Sequence, residues 1–93
     1  MGAGTEQVQV WLVERTFSED KPNLIILVYA TPDGKHSFTK ERALTNFSTV
    51  RVTTAAIEVD PDNLDEVGDE TLENQYAAEA TRMKSVHEPD DAI

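Results

Sequence analysis

The two histidines are the side chains best suited to proton transfer near neutral pH, and neither lies in a catalytic motif. His36 follows a predicted hairpin glycine by two residues, and His87 lies in a predicted tail. A Ser-His-acid site needs a nucleophile on a strained turn beside the base, and the chain has no G-x-S-x-G sequence. It also has no cysteine, which excludes thiolate nucleophiles and cysteine metal ligands. We therefore predict no catalytic residue, no cofactor and no enzymatic activity.

The acidic segment "DPDNLDEVGDE" (60–70) begins with the D-x-D spacing of a calcium loop but does not continue it. With Asp60 at the first position of an EF-hand loop, Asp65 stands where glycine is required and Thr71 where the bidentate glutamate belongs. The ligands in "HEPDD" lie on a predicted flexible tail, where ordering would oppose metal binding. We predict no metal site. An enzyme with two facing carboxylates leaves no linear motif, and it would require a cleft that holds both.

A local group of basic residues follows the Pro-Asp-Gly of the chain. Lys35, His36, Lys40 and Arg42 lie within eight residues, and Phe38 stands among them. Basic and aromatic side chains together on a strand surface can hold phosphate or single-stranded nucleic acid. The alternative is that these cations balance acidic groups of the same molecule. We take the four basic residues as candidate contacts for a partner or a phosphate.

The net charge of -10 is distributed unevenly along the chain. Residues 1–59 carry seven acidic and six basic side chains, whereas residues 60–93 carry eleven and two. Phosphate binding needs a positive field, so nucleic acid is a poor partner for the chain as a whole. The longest apolar run, residues 24–30, is much shorter than the roughly 20 residues that cross a bilayer. We expect a cytoplasmic protein with no membrane partner.

The first half of the chain reads as strands joined by turns. Residues 7–17 place Val8, Val10 and Leu12 at every second position, which predicts a strand with one apolar face. Residues 24–30, "LIILVYA", are apolar throughout, which predicts a central strand covered on both faces. Trp11 lies on the other face of the first strand, either as core of that face or as an exposed anchor for dimerisation, and we favour the core.

The Pro-Asp-Gly itself predicts a hairpin turn, because proline fixes φ at its second position and glycine supplies a left-handed one. A short third strand over residues 35–38 should follow. Residues 39–47 are ambiguous. Thr39 is a candidate N-cap for a two-turn helix, whereas a strand continuing to Leu44 would place Lys40 and Arg42 on the face that Phe38 buries. We prefer the helix.

The second half begins with a β-branched strand over residues 48–59 and then turns helical. Asp60 is an N-cap candidate before a short helix that Gly68 should stop, and Asp69 should cap a longer one. The longer helix carries a stripe at helical spacing, which predicts the face that covers the sheet: Leu72, Tyr76, Ala80 and Met83.

These elements predict an α+β fold in the order β-β-β-α-β-α. The sheet should have three to four mainly antiparallel strands, with the C-terminal helix packed on one face. We divide the chain into a disordered N-terminus at 1–6, a single domain at 7–86 and a flexible acidic tail at 87–93.

The composition resembles that of the small acidic uncharacterised proteins of halophilic archaea, as do "VWLVERTF", "VYATPDG" and "FTKERAL". Only four residues are lysine, and a carboxylate-rich surface keeps a protein hydrated in molar salt. The resemblance brings no known activity or binding residue. The skew of charge toward residues 60–93 favours a second explanation, an acidic interaction surface for a basic partner. Both explanations can hold together.

We expect a non-enzymatic protein-binding or adaptor module, monomeric or weakly dimeric, whose partner is another protein. The alternative is a nucleic-acid-associated regulator that uses Lys35, Lys40 and Arg42.

Overall fold

The computed structural model describes residues 6–19, 24–43 and 53–93, which form one antiparallel sheet and one α-helix. The strand order is β4-β1-β2-β3-β5, so β2 is central as the sequence predicts. The α+β class, the antiparallel sheet and the C-terminal helix are confirmed. The elements in chain order are β1 (Val8–Phe17), β2 (Leu24–Ala30), β3 (His36–Ala43), β4 (Ala56–Val59), a 3-10 helix (Pro61–Asn63), β5 (Asp65–Glu66) and α1 (Glu70–Val86).

The predicted number of strands and the predicted element order were wrong, because part of the segment read as a short helix forms a strand. The capping signal itself was right: the Asp60 carboxylate accepts a hydrogen bond from the amide of Asp62, and Pro61 opens a 3-10 helix. That helix ends after one turn, and β5 pairs with the start of β3. The sheet therefore has five strands in place of three or four.

The predicted helix over residues 39–47 is also wrong as far as Ala43, because β3 continues to that residue; residues 44–47 lie outside the described part of the chain. The strand pairs with β2 from Ser37, opposite Ala30, to Ala43, opposite Leu24. Long basic side chains can share a face with an aromatic ring, because their aliphatic stems pack while their charged ends reach polar groups. Lys40 and Arg42 therefore do not prevent a strand from continuing past Phe38.

The central strands are buried on both faces. Cross-strand partners share a face in an antiparallel sheet, so Val10 and Leu12 lie on one side with Tyr29, and Trp11 lies on the other with Ala30. Val10, Tyr29 and Trp11 are at most 2% exposed. Trp11 is therefore core, as we favoured. The register of β1 shifts between Leu12 and Glu14, and the residues after the shift are exposed.

The Pro-Asp-Gly forms the predicted hairpin turn. The amide of Gly34 donates to the carbonyl of Thr31 at 2.8 Å, and the amide of Thr31 donates to the carbonyl of His36 at 3.0 Å. The Thr31 hydroxyl and the Lys35 amide both donate to the Asp33 carboxylate, at 2.6 and 2.9 Å. These bonds fix the tip of the β2–β3 hairpin.

Helix α1 begins where the sequence predicts, since the Asp69 side chain accepts from the amide of Thr71 at 3.0 Å. It packs against β1 and β2, with Ala80 and Met83 buried in the core and Leu72 and Tyr76 half-buried. Among the described residues, no helix is long and apolar enough to cross a membrane.

Residues beyond α1 lie along the edge of the sheet beside β4. The amides of Ala55 and Ala56 donate to the carbonyls of Asp91 and Pro89, each at 2.9 Å. The amide of Ile93 donates to the carbonyl of Thr53 at 2.8 Å. The flexibility predicted for residues 87–93 stays a prediction, and these bonds give the segment a defined position.

Candidate functional site

The structure separates the two histidines. His36 starts β3 and pairs with Glu66 of β5, whereas His87 follows α1 with its Nδ1 3.4 Å from an Asp91 carboxylate oxygen. Within the described ranges, no group of three or more His, Cys, Asp or Glu side chains is arranged to hold a metal ion.

Three of the four predicted basic contacts lie on β3 and Lys35 lies just before it, and the four do not form one compact patch. Lys35 is exposed in the hairpin loop, and Arg42 is seven residues further along the strand, about 20 Å away at the rise of a β-strand. Lys35 and His36 share a shallow concavity with Glu66 and Glu73, so acidic groups of the same molecule stand beside them.

Arg42 is bound into the fold. It pairs with Ile25 of β2 and shares its face of the sheet, and its guanidinium Nη1 donates to the Thr53 hydroxyl at 3.0 Å. Burial raises the pKa of Tyr29, and the positive charge of Arg42 partly offsets that rise. Part of the Arg42 charge is thus directed toward the interior of the protein.

Lys40 has a different setting. It is opposite Leu27 of β2, which in turn is opposite Arg15 of β1, so the two cations lie on one face of the sheet with a leucine between them. Phe17, two residues beyond Arg15 on the same face, is 70% exposed. The sequence does not indicate that Arg15 lies near Lys40, because the register between β1 and β2 cannot be read from it.

The longest run of acidic charge is residues 60–73, which we call the acidic face; it extends from the end of β4 at one edge of the sheet to β5 at the other edge and into α1. It contains no basic residue, and its seven carboxylates extend over the 3-10 helix, β5 and the first turn of α1: Asp60, Asp62, Asp65, Glu66, Asp69, Glu70 and Glu73. Asp60 and Asp69 are engaged as helix caps. Within the described residues, none of the seven forms an ion pair, and four that are not caps are exposed: Asp62, Asp65, Glu66 and Glu70.

A second concavity, of about 400 Å³, lies at the end of α1. Its walls include Trp11, Lys84 and His87, together with Asp91 of the segment beside β4. The Trp11 Nε1 is buried and has no hydrogen-bond acceptor among the described residues. The sequence did not indicate this concavity, because it forms only when residues 88–93 return to the sheet.

Comparisons with known proteins identify a family but no characterised relative. No curated protein and no solved structure matches the chain. Residues 4–93 match a family of unknown function, DUF7967. Since this match covers nearly the whole sequence, the chain belongs to the DUF7967 family.

Proposed function

We propose that this protein is a non-enzymatic protein-binding module whose acidic face meets a basic surface on its partner. One observation carries the proposal: the carboxylates of residues 60–73 form no ion pairs within the described residues. A predominantly negative field attracts a positively charged partner and speeds the encounter, although Lys35 and His36 lie beside Glu66 and Glu73. The acidic face is also attached to a rigid support, since β5 is hydrogen-bonded to β3 and Asp69 caps α1.

The proposal includes the setting in which the module acts. A surface with many more carboxylates than lysines is favoured in a salt-rich cytoplasm, in keeping with the resemblance to halophilic proteins. Salt adaptation alone should spread carboxylates over the whole surface. The concentration of acidic residues in 60–73 therefore supports a binding role in addition to solubility.

The experiment compares two variants of equal charge. The acidic-face variant carries Asp62→Asn, Asp65→Asn, Glu66→Gln and Glu70→Gln, which removes four exposed carboxylates and keeps both helix caps. The scattered variant removes four exposed carboxylates elsewhere, with Glu14→Gln, Glu41→Gln, Glu58→Gln and Glu88→Gln.

Each purified protein is immobilised and exposed to a lysate of the source organism, and the retained proteins are identified and quantified. We expect a basic protein that the native chain and the scattered variant retain and that the acidic-face variant loses. Equal loss from both variants would mean that net charge alone attracts proteins, and the proposal would fail.

A second candidate function, a nucleic-acid-associated regulator, is favoured by the alignment of Arg15 and Lys40 across the sheet and by the exposed ring of Phe17. Its test is the double variant Lys40→Glu with Arg42→Glu. If binding to single- and double-stranded nucleic acid at moderate salt does not change, this alternative is excluded. Circular dichroism of the double variant shows whether the Arg42 change has disturbed the fold, and Lys40→Glu alone serves if it has.

A further inference from the structure

Residues 88–93, which we call the edge segment, pair with residues 53–56, the stretch that leads into β4 and includes its first residue. The segment accepts hydrogen bonds from the amides of Ala55 and Ala56 and donates one to Thr53, and Thr54 and Ala92 form an antiparallel bridge. It therefore occupies an edge that would otherwise present unpaired main-chain groups to another strand.

The hydrogen bonds define the register of this pairing. The bonds from Ala55 to Asp91 and from Ile93 to Thr53 enclose the Thr54–Ala92 pair without joining those two residues to each other. Such a pair is the non-hydrogen-bonded kind, in which Cα atoms are about 4.5 Å apart and the side chains are closest. Cysteines at positions 54 and 92 would thus show directly whether the segment is paired in this register.

Main-chain hydrogen bonds hold the segment in place, and the burial of its side chains contributes less. Asp90 and Ala92 are exposed, and Ile93 is 39% exposed. None of the residues 88–93 is buried. Main-chain pairing at a sheet edge does not depend on which chain supplies the strand.

The connection to α1 is short and polar. After the helix ends at Val86, the Glu88 amide donates to the Asp91 carboxylate at 2.9 Å, and the Asp91 amide donates to the Glu88 carbonyl at 3.0 Å. Both bonds lie within the edge segment and move with it, so a change of backbone direction at His87 redirects the segment without removing any residue from the core.

We propose that the β4 edge of one copy accepts the edge segment of a second copy, so that two chains form a dimer by reciprocal exchange. Every main-chain bond of the closed form can be remade between the copies, since the same residues meet. Because the segment is tethered to its own chain, its effective concentration at its own edge is in the millimolar range. A segment from a second copy competes only when the protein concentration approaches that range. Because each chain carries -10, added salt favours the dimer.

The test uses the absence of native cysteine. One chain carries Thr54→Cys, and a second chain carries Ala92→Cys. The two are mixed at about 1 mM, in the range of the tethered concentration, in a thiol-disulfide buffer. A disulfide between them forms when the segment of one copy lies on the edge of the other, since the Cα separation suits a disulfide.

We expect the fraction of chains in this mixed dimer to be on the order of thirtyfold higher at 1 mM than at 10 µM, because exchange is bimolecular and saturates only near the millimolar effective concentration, and to increase further in about 2 M KCl. The control mixture pairs Thr54→Cys with Thr81→Cys, an exposed position on α1, and measures random cross-linking. A yield at 1 mM no greater than that of the control would overturn the proposal.

A double variant, Thr54→Cys with Ala92→Cys in one chain, checks the register at 10 µM. It should form the disulfide within a single chain, which mass spectrometry identifies. If it does not, the edge segment is not seated as described, and the proposal is likewise overturned. This test does not depend on the acidic face, so it stands or fails independently of the proposed function.

Discussion

Gly34 at the tip of the β2–β3 hairpin lies directly against Ala77 of α1. A Cβ atom added to Gly34 would stand 2.7 Å from the Ala77 amide nitrogen, and it would also meet the carbonyl oxygen of Glu73. Both are main-chain atoms, which cannot move aside as a flexible side chain can. The glycine therefore serves two purposes, a left-handed φ of 75° and close contact between the hairpin and the helix.

Gly34→Ala should destabilise the protein much more than Gly68→Ala. Gly68 has the same φ of 75° but nothing within 4 Å of an added Cβ, so its substitution measures the conformational term alone, about 1 kcal/mol. At Gly34 an overpacking term of about 1–3 kcal/mol is added. Urea unfolding at one fixed salt concentration gives both values, and equal values would show that the hairpin does not press on the helix.

Asp33 should make the stability of the hairpin depend on pH. The hydrogen bond from the Thr31 hydroxyl, followed by that from the Lys35 amide, lowers the pKa of Asp33 below its ordinary 3.8. A lowered folded-state pKa contributes stability above the unfolded pKa, and this contribution is lost as the pH falls below 3.8 and through the folded value.

Asp33→Asn keeps the acceptor oxygen but cannot titrate, so it should unfold with a shallower pH dependence at acidic pH. Its stability at pH 6 should fall by no more than about 1 kcal/mol, because both hydrogen bonds can persist. Urea unfolding at pH 3 and pH 6 measures the difference. Asp90→Asn, at an exposed position, is the control, and the same slope in both variants would contradict the assignment.

Trp11 should tolerate loss of its nitrogen better than loss of its ring. Its side chain is 2% exposed, and Nε1 has no acceptor among the described residues. Trp11→Ala should cost about 3–5 kcal/mol because it leaves a large cavity. Trp11→Phe should cost only about 1–2 kcal/mol, because removing a buried unsatisfied donor offsets part of the lost packing. Circular dichroism must monitor unfolding, since this is the only tryptophan. A Trp11→Phe loss well above about 2 kcal/mol would show that Nε1 has a partner.

The parts of the fold that the sequence predicted are those fixed by local chemistry. The alternation of apolar residues predicted β1, and the continuous apolar run predicted that β2 is central. Asp60 and Asp69 were correctly predicted as helix caps. Each of these signals depends on residues within one turn or one strand of the position it describes.

The errors occurred where pairing decided the structure. β3 keeps Lys40 and Arg42 in a strand because β2 supplies a full ladder of hydrogen-bonded partners. β5 has only two residues, and it counts as a strand because they meet His36 and Ser37. The concavity beside Trp11 depends on the return of residues 88–93 to the sheet. Tertiary contacts of this kind leave no local pattern.

The acidic face should make the free energy of unfolding depend on salt more strongly than the same number of carboxylates placed elsewhere on the surface. Exposed carboxylates close together repel one another, and the Debye length falls from about 10 Å at 0.1 M to about 3 Å at 1 M salt. The native chain and the scattered variant, which keeps the acidic face, should therefore both gain stability on going from 0.1 to 1 M KCl. The acidic-face variant should gain less than the scattered variant, by on the order of 1 kcal/mol.

Both variants lose four carboxylates, so a difference between them reports the arrangement of charge and not its total. Urea unfolding at the two salt concentrations measures it. If the variants respond equally to salt, the carboxylates of residues 60–73 are far enough apart to act independently. The acidic face would then be one part of a uniformly salt-adapted surface, with no localised field to attract a basic partner.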